Sequence, residues 1–294
     1  MDNYINTVLD FLEEAGKLAL DGQGKLDIKV KQDNSIVTNV DTEISKLFRK
    51  RIKSFLELGH VVLDEENLID KNELFNKKVE YVWTIDPIDG TTTYAGGFPT
   101  WAIAVSLYKN FEPILGFIYL PRTSELVYTD SKNVYYINNV FENEQVIQQL
   151  EPSKKITLNK KSIIMAHRLR NYDVDKFTVL DFYSTYVSTF YTIVNKSVGS
   201  FINKSASLWD ITATLPFLKP CNLICKNVVN NKNINNILDV ELNDNWKLDN
   251  IYLVCNVDNY QDIVSIFTDL RWSLRVFLFY VFCFALVQWL TKPR

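Results

Sequence analysis

The chain contains few histidines and few cysteines. Of its 294 residues, two are histidines (His60 and His167) and four are cysteines. So few histidines leave little room for a Ser-His-Asp or Cys-His nucleophile. Cys221 and Cys225 have no histidine near them in sequence and are too few for a tetrahedral zinc site. We therefore expect the cysteines to be buried thiols in a reducing compartment, and any chemistry to use carboxylates.

The chain also lacks an excess of positive charge. It has 32 Lys and Arg against 35 Asp and Glu, a net charge of −3, whereas nucleic-acid binders usually carry a basic patch or stripe. Apolar residues make up 47% and charged residues 23%, which excludes disordered, collagen-like and small disulfide-stapled chains. The acidic, amphipathic first 16 residues do not resemble a secretory signal. These features predict a cytoplasmic protein with no nucleic-acid partner.

Long hydrophobic runs are missing except near the C-terminus, where residues 276–287 are all apolar. A membrane-spanning helix usually needs about 20 apolar residues, and at least roughly 17. Three interpretations stay open: a membrane anchor over residues 272–290, a buried helix or strand or a subunit interface, and a non-native extension. We therefore divide the chain into a catalytic domain over 1–271 and a hydrophobic tail over 272–294.

Hydrophobic periodicity predicts two helices near the N-terminus, over the first 22 residues and over 38–56. A mixed pattern over 178–194 fits either a helix or a strand. Trp209 to Leu218 is predicted helical, and 260–270 is predicted as a last helix. The predicted strands are 81–85, 101–108, 114–119, 125–129, 134–137 and 251–255.

Two aspartates, Asp86 and Asp89, follow the predicted strand 81–85. Pro87 restricts the backbone between them, so we expect both carboxylates to point into one small volume. Two carboxylates that close repel each other unless a cation neutralises them. Mg²⁺ is suited to this position because it takes oxygen ligands and completes its shell with water and phosphate.

The residues after Asp89 suit an anion. Gly90 allows a tight turn, and Thr91 and Thr92 begin a helix or turn whose N–H groups can hold a phosphate. The threonine hydroxyls can orient a water. A metal, an anion site and a positioned water together indicate hydrolysis of a phosphate ester, although an Asp-Gly turn with a helix cap is common in any protein.

Several motifs resemble the inositol monophosphatase family, which comprises Mg²⁺-dependent, lithium-sensitive phosphatases. Trp83, the run DPIDGTT from Asp86 and the run GFPTWAIAV from Gly97 resemble its first signature, and SLWDITA from Ser207 resembles its second. The resemblance covers roughly residues 1–270. Further matches, in the family's order, are VTNVD at 37–41, DEE at 64–66, and GFIYLP at 116–121 with Glu125.

The resemblance implies an α/β (α+β) fold of alternating αβαβα layers, with two sheets meeting at a metal site, and often a homodimer. It also implies two Mg²⁺ ions, with a weaker third position. Glu65, Asp86 and the Ile88 carbonyl would bind the first ion. Asp86, Asp89 and Asp210 would bind the second.

The same resemblance implies direct attack by metal-bound water on a small phosphorylated polyol or sugar. Thr91 with Glu65 would orient and help deprotonate that water, and Asp41 would assist the weaker metal position. The residues expected to bind phosphate or substrate are Gly90, Thr91, Thr92, Asn203 and Lys31.

The substrate side departs from the family pattern. Family members usually carry a Gly-Ser-Ala segment in the stretch that corresponds to residues 181–186, where this chain reads DFYSTY. At the position where the family has an acidic residue that contacts the substrate's hydroxyl groups, this chain has Asn203. Histidinol phosphate, fructose 1,6-bisphosphate and adenosine 3′,5′-bisphosphate therefore remain alternative substrates. An alternative of another class is a non-catalytic relative that binds a phosphorylated ligand or acts as a membrane scaffold.

Overall fold

The computed structural model describes residues 1–30, 36–76, 79–166, 177–204 and 206–266. The expected hydrophobic tail, Lys31, His167 and Cys283 lie outside these ranges. The helices are α1 Asp2–Gly22, α2 Asn39–Arg51, α3 Lys53–Glu57, α4 Lys71–Asn76, α5 Thr91–Ala95, α6 Thr185–Ile193 and α7 Trp209–Thr212, and a further helix is described over 260–266.

Two sheets form the centre of the fold, and a short hairpin of β1 and β2 stands apart from both. Seven strands make the larger sheet, in the order of the chain from β3 to β9, and five make the smaller one, in the order β11-β10-β12-β14-β13. The strands are β1 Ile28–Val30, β2 Ile36–Thr38, β3 Val61–Asp64, β4 Tyr81–Asp89, β5 Ala102–Lys109, β6 Glu112–Leu120, β7 Glu125–Thr129, β8 Val134–Asn138, β9 Val146–Gln149, β10 Ile163–Ala166, β11 Thr178–Leu180, β12 Gly199–Ile202, β13 Leu223–Asn227 and β14 Tyr252–Asn256.

Three apolar clusters hold these layers together. One joins α1 and α2 to one face of the larger sheet through residues such as Phe11 and Phe48. A second fills the space between the sheets and contains Phe190 of α6 and Trp209 of α7. The third packs the helix over 260–266 against the outer face of the smaller sheet. The order is therefore helix, sheet, helix, sheet, helix, which confirms the predicted αβαβα layering.

Several predicted boundaries were wrong. The helix over 38–56 is divided at Ile52, whose φ of −95° and ψ of 14° leave the helical region. The helix from Trp209 ends after four residues and continues as a 3₁₀ turn that contains Pro216. The ambiguous segment 178–194 contains both a short strand, β11, and a helix, α6.

Buried thiols are confirmed for Cys221, Cys225 and Cys255, since all three are free and buried. Burial raises their pKa values, so these thiols are poor nucleophiles. Within the described ranges, no helix combines the length and the apolar character needed to cross a bilayer.

Candidate active site

Strand β4 carries two of the candidate metal ligands. Asp86 and Asp89 lie inside this strand, not after it as predicted, because a register shift against β5 between them accommodates Pro87. Asp210 comes from α7. One carboxylate oxygen from each of the three aspartates lies within 4.8 Å of the others. The fold thus brings together two aspartates that are three positions apart in sequence and a third that is far away in sequence.

Asp86 is the least exposed of the three aspartates. Its side chain is 2% exposed, and its Oδ1 accepts no hydrogen bond from the described part of the chain. Burial, and then the charges of Glu65, Asp89 and Asp210, raise its pKa well above the usual value. A buried oxygen without a donor is costly, and a divalent cation bound there would remove that cost. The donor set therefore fits a hard metal ion.

Asp89 is held by the first turn of α6. Its Oδ2 accepts hydrogen bonds from the Ser184 hydroxyl, at 2.5 Å, and from the backbone N–H of Tyr186, while its Oδ1 accepts from the N–H of Thr185 at 3.2 Å. Burial raises the pKa of Asp89 to about 6 even though these donors lower it. Three donors at a helix start, where N–H groups have no intrahelical partner, fix the direction of this carboxylate.

Asp210 is oriented by the chain that precedes it. Its Oδ2 accepts a hydrogen bond from the N–H of Ser207 at 2.7 Å. Ser207 pairs across an isolated antiparallel bridge with Lys247. Burial and the charges of Asp89 and Glu65 raise the pKa of Asp210 to about 7, and the positive charge of Lys247 opposes this shift. Without a cation, the cluster therefore carries a proton near neutral pH.

Asp41 stands beside this cluster at the start of α2. It forms a capping box with Thr38, whose N–H and hydroxyl both donate to Asp41 Oδ2, at 2.9 and 2.5 Å. The Thr91 hydroxyl lies 3.4 Å from Asp41 Oδ1 and 3.0 Å from the Ile88 carbonyl oxygen. Burial raises the pKa of Asp41 to about 7. Asp41 can therefore exchange a proton near neutral pH next to Thr91.

Glu65 is half-buried and directly follows β3. Its negative charge helps to raise the pKa values of Asp86 and Asp210, so it faces the aspartate cluster. A carboxylate in an acidic run such as 64–66 is normally solvated, but the side chain of the neighbouring Asp64 is fully buried. Asp64 Oδ2 accepts from Ser45 at 2.6 Å and from Arg49 Nε at 3.1 Å, which anchors the end of β3 to α2.

Gly90 is required where β4 turns into α5. Its φ is +88°, and a Cβ there would lie 3.0 Å from Ser184 Cβ and 3.0 Å from the Thr100 carbonyl oxygen. The Thr93 hydroxyl lies 2.7 Å from the Gly90 carbonyl oxygen and 2.5 Å from the Thr100 carbonyl oxygen, and its single proton can bond either of them. Three segments of chain therefore meet at Gly90.

Asn203, Thr92 and Lys31 are the remaining residues predicted to bind substrate. Asn203 directly follows β12 and is half-buried, and Thr92 is exposed on α5. Lys31 lies outside the described residues. Sequence reasoning missed Ser184, although a serine in front of a helical pattern is a recognised N-cap signal.

Comparison with known proteins agrees with this architecture. A profile of the inositol monophosphatase family matches residues 3–219. The inositol-1-monophosphatase of Bacillus subtilis is 34% identical over 130 residues, which cover 44% of this chain and 48% of the relative. The histidinol-phosphatase of Chlorobaculum parvum is 25% identical over 227 residues, which cover 75% of this chain and 84% of that protein.

The fold is also that of solved members. The structure of an IMPase from Thermotoga maritima matches with a TM-score of 0.70 and 19% identity, covering 93% of this chain and 99% of that one. The chain spans about half the length of the first curated relatives it matches. Because the family profile covers most of the chain, and the aspartate cluster lies inside the matched region, the chain belongs to the inositol monophosphatase family.

Proposed function

We propose that this protein is a Mg²⁺-dependent phosphomonoesterase that hydrolyses a small phosphorylated polyol or sugar. The observation that carries the proposal is the buried cluster of Asp86, Asp89 and Asp210, whose oxygens lie within 4.8 Å of one another. Burying three carboxylates together is unfavourable unless a cation neutralises them. The relatives in Bacillus subtilis and Chlorobaculum parvum carry the names of phosphatases, which supports the reaction class.

The residues that would hold two Mg²⁺ ions are Glu65, Asp86, Asp89 and Asp210, with the Ile88 carbonyl. Bound Mg²⁺ supplies a Lewis acid that neutralises charge on the phosphoryl group and acidifies water. Asp89 is fixed by the start of α6, and Asp210 by the N–H of Ser207. These contacts give the ligands their direction before any ion arrives.

Thr91 would orient the attacking water together with Glu65, and Asp41 lies beside Thr91. The Thr91 hydroxyl donates to the Ile88 carbonyl at 3.0 Å, which leaves its lone pairs available to accept from a water. Asp41 Oδ1 lies 3.4 Å away and, with a pKa of about 7, can hold a proton near neutral pH. We assign orientation of the water to Thr91 with Glu65, and binding of phosphate to the N–H groups of Gly90 and Thr91.

The test is phosphate release by the full chain with and without Mg²⁺. The substrates are inositol 1-phosphate, fructose 1,6-bisphosphate, histidinol phosphate and adenosine 3′,5′-bisphosphate. Asp89→Asn removes one cluster charge, and Asp244→Asn makes the same change on an exposed loop. We expect Mg²⁺-dependent release that is lost in Asp89→Asn and kept in Asp244→Asn. A folded, Mg²⁺-binding protein that hydrolyses none of them would refute the proposal in favour of a ligand-binding role.

The proposal also gives separate roles to two parts of the chain. Residues 1–271 would form the catalytic domain of a cytoplasmic homodimer, and residues 272–290 would contact a membrane. Co-sedimentation with lipid vesicles, comparing the full chain with a chain that ends at residue 271, tests the tail. Equal recovery of both chains with the vesicles would contradict the membrane contact, and a monomer in analytical ultracentrifugation would contradict the dimer.

A further inference from the structure

Tyr186 is a fully buried residue in the first turn of α6. Its backbone N–H donates to Asp89 Oδ2, so its main chain already belongs to the support of the aspartate cluster. Burial, and then the negative charge of Asp86, raise the pKa of its phenol well above the usual value. The side chain is therefore a neutral hydroxyl, which can donate one hydrogen bond and also accept.

The Tyr186 hydroxyl bonds two backbone groups at α7. It donates to the carbonyl of Trp209 and accepts from the N–H of Ala213 at 3.0 Å. In a regular α-helix that N–H would donate directly to that carbonyl, which lies four residues earlier. The hydroxyl thus bridges the two groups that a helical hydrogen bond would join. A side chain inserted in this way bends or interrupts a helix, and α7 ends at Thr212.

The Trp209 carbonyl is the group that links this bridge to the candidate metal site. It belongs to the planar peptide unit that leads into Asp210, so its direction fixes the plane from which the Asp210 side chain starts. At the other end of that side chain, Asp210 Oδ2 accepts from the N–H of Ser207 at 2.7 Å. Tyr186 therefore holds the base of Asp210 through its hydroxyl and the carboxylate of Asp89 through its N–H.

Ordinary packing is the alternative explanation, since a buried tyrosine usually finds a hydrogen-bond partner. Tyr108 shows that behaviour on the same helix: it is fully buried, and its hydroxyl donates to the Thr212 carbonyl at 2.5 Å. Thr212 lies two residues after Asp210, so this bond leaves the Trp209–Asp210 peptide untouched. The two tyrosines make the same kind of contact, but only the contact of Tyr186 acts on the peptide that carries a candidate metal ligand.

We propose that Tyr186 is a positioning residue that holds Asp89 and Asp210 at the spacing that one divalent cation needs. The inference rests on the proposed function, because it assumes that both aspartates bind the same Mg²⁺ ion. Residues that orient metal ligands without touching the metal contribute strongly to metal affinity. Tyr186 lies in the stretch 181–186, where this chain departs from the Gly-Ser-Ala pattern. None of those three residues carries a phenol, so the pattern itself does not supply this support.

The test replaces Tyr186 by phenylalanine in the full chain. Tyr186→Phe removes the hydroxyl and keeps both the ring and the N–H that binds Asp89. The Trp209 carbonyl is then free to bond the N–H of Ala213 directly, as in a regular helix, which would turn the peptide and move Asp210. Calorimetric titration with Mg²⁺, without any ester, measures the metal affinity, and urea unfolding in EDTA measures the stability of the metal-free fold.

Tyr108→Phe is the matched control, because it also removes one buried hydroxyl from an α7 carbonyl. We expect Mg²⁺ affinity to fall by about 10- to 100-fold in Tyr186→Phe and by less than about twofold in Tyr108→Phe. The midpoints of urea unfolding in EDTA should be similar in the two variants. Equal Mg²⁺ affinity in the wild type and Tyr186→Phe, or an equal loss of affinity in Tyr108→Phe, would overturn the inference, because Tyr186 would then serve packing alone.

Phosphate release measured beside Mg²⁺ binding separates this inference from the phosphatase proposal. Mg²⁺ binding that weakens in Tyr186→Phe, in a protein that hydrolyses no ester, would support the positioning role and refute the phosphatase. Phosphate release with the same Mg²⁺ requirement in the wild type and Tyr186→Phe would refute the positioning role alone. A wild-type protein that binds no Mg²⁺ would overturn both.

Discussion

Replacing Ser184 by alanine tests whether the start of α6 holds Asp89 in the direction that a metal needs. The Ser184 hydroxyl accepts from the N–H of Val187 and donates to Asp89 Oδ2 at 2.5 Å. Loss of an N-cap costs about 1 kcal/mol, and loss of a hydrogen bond to a charged group costs about 1.5 to 3 kcal/mol. The contact to Asp89 is at full strength only when Asp89 is ionised, as it would be beside a cation.

We expect Ser184→Ala to lower the free energy of unfolding by about 2 to 4 kcal/mol with Mg²⁺ present. Ser188→Ala is the matched control on the same helix. Ser188 is also buried, and among the described residues its hydroxyl donates to the Ser184 carbonyl, at 2.8 Å, and not to a carboxylate. That variant should lose about 1 kcal/mol or less. Urea unfolding followed by tryptophan fluorescence measures both values.

The decisive readout for Ser184→Ala is the dependence on Mg²⁺. Removing a group that orients a metal ligand typically lowers metal affinity by about 10- to 100-fold. The Mg²⁺ concentration for half-maximal phosphate release should therefore rise by at least about tenfold in Ser184→Ala and stay unchanged in Ser188→Ala. The same Mg²⁺ requirement in both variants, together with equal losses of stability, would refute a role of α6 in orienting Asp89.

Three further perturbations follow from the geometry of the site. Gly90→Ala forces a left-handed alanine into contact with backbone and should cost at least about 2 kcal/mol in urea unfolding, whereas Gly24→Ala, with open space around it, should cost nothing; equal effects would contradict this. The pKa of Asp41 is about 7 in the folded state, against an ordinary value of 3.8. Without metal, the folded state therefore keeps a proton that the unfolded state releases, so the melting temperature in EDTA should fall as pH rises from about 4 to about 7. A melting temperature that rises over this range would contradict the prediction. Asp64→Asn removes the charge of a buried carboxylate that pairs with the partly exposed Arg49, and it should cost about 1.5 to 3 kcal/mol. A change below about 0.5 kcal/mol in urea unfolding would mean that the pair does not anchor β3.

The proximity of Asp86 and Asp89 could be predicted from local sequence, but the approach of Asp210 could not. Asp86 and Asp89 are separated by two residues, so any tight backbone brings them close. Asp210 follows 121 positions after Asp89, and no local pattern predicts that α7 delivers it to β4. Only the resemblance of the two signatures to one family joined them. The later end of β4 was missed because proline and aspartate are depleted in strands.

The burial of Asp64 shows a different limit. A charged residue in an acidic run is normally solvated, so the sequence favoured a surface position. Ser45 and Arg49 lie four residues apart on α2, hence on one face of that helix, and both donate to Asp64. The burial of Asp64 can be predicted from these two donors only once α2 is known to pack beside β3. The tertiary contact between α2 and β3 therefore determines the burial of Asp64, and composition does not.

The distribution of donors around the carboxylates indicates where a cation is needed most. Asp89 has three protein donors and Asp41 has two from Thr38, so their charges are partly compensated by the fold. Asp86 keeps one buried oxygen without a donor among the described residues, and burial together with the charges of Glu65, Asp89 and Asp210 raises its pKa well above the usual value. Because a metal binds the ionised carboxylate, it must displace any proton held by the cluster. Mg²⁺ affinity should therefore rise with pH through the range in which these carboxylates ionise.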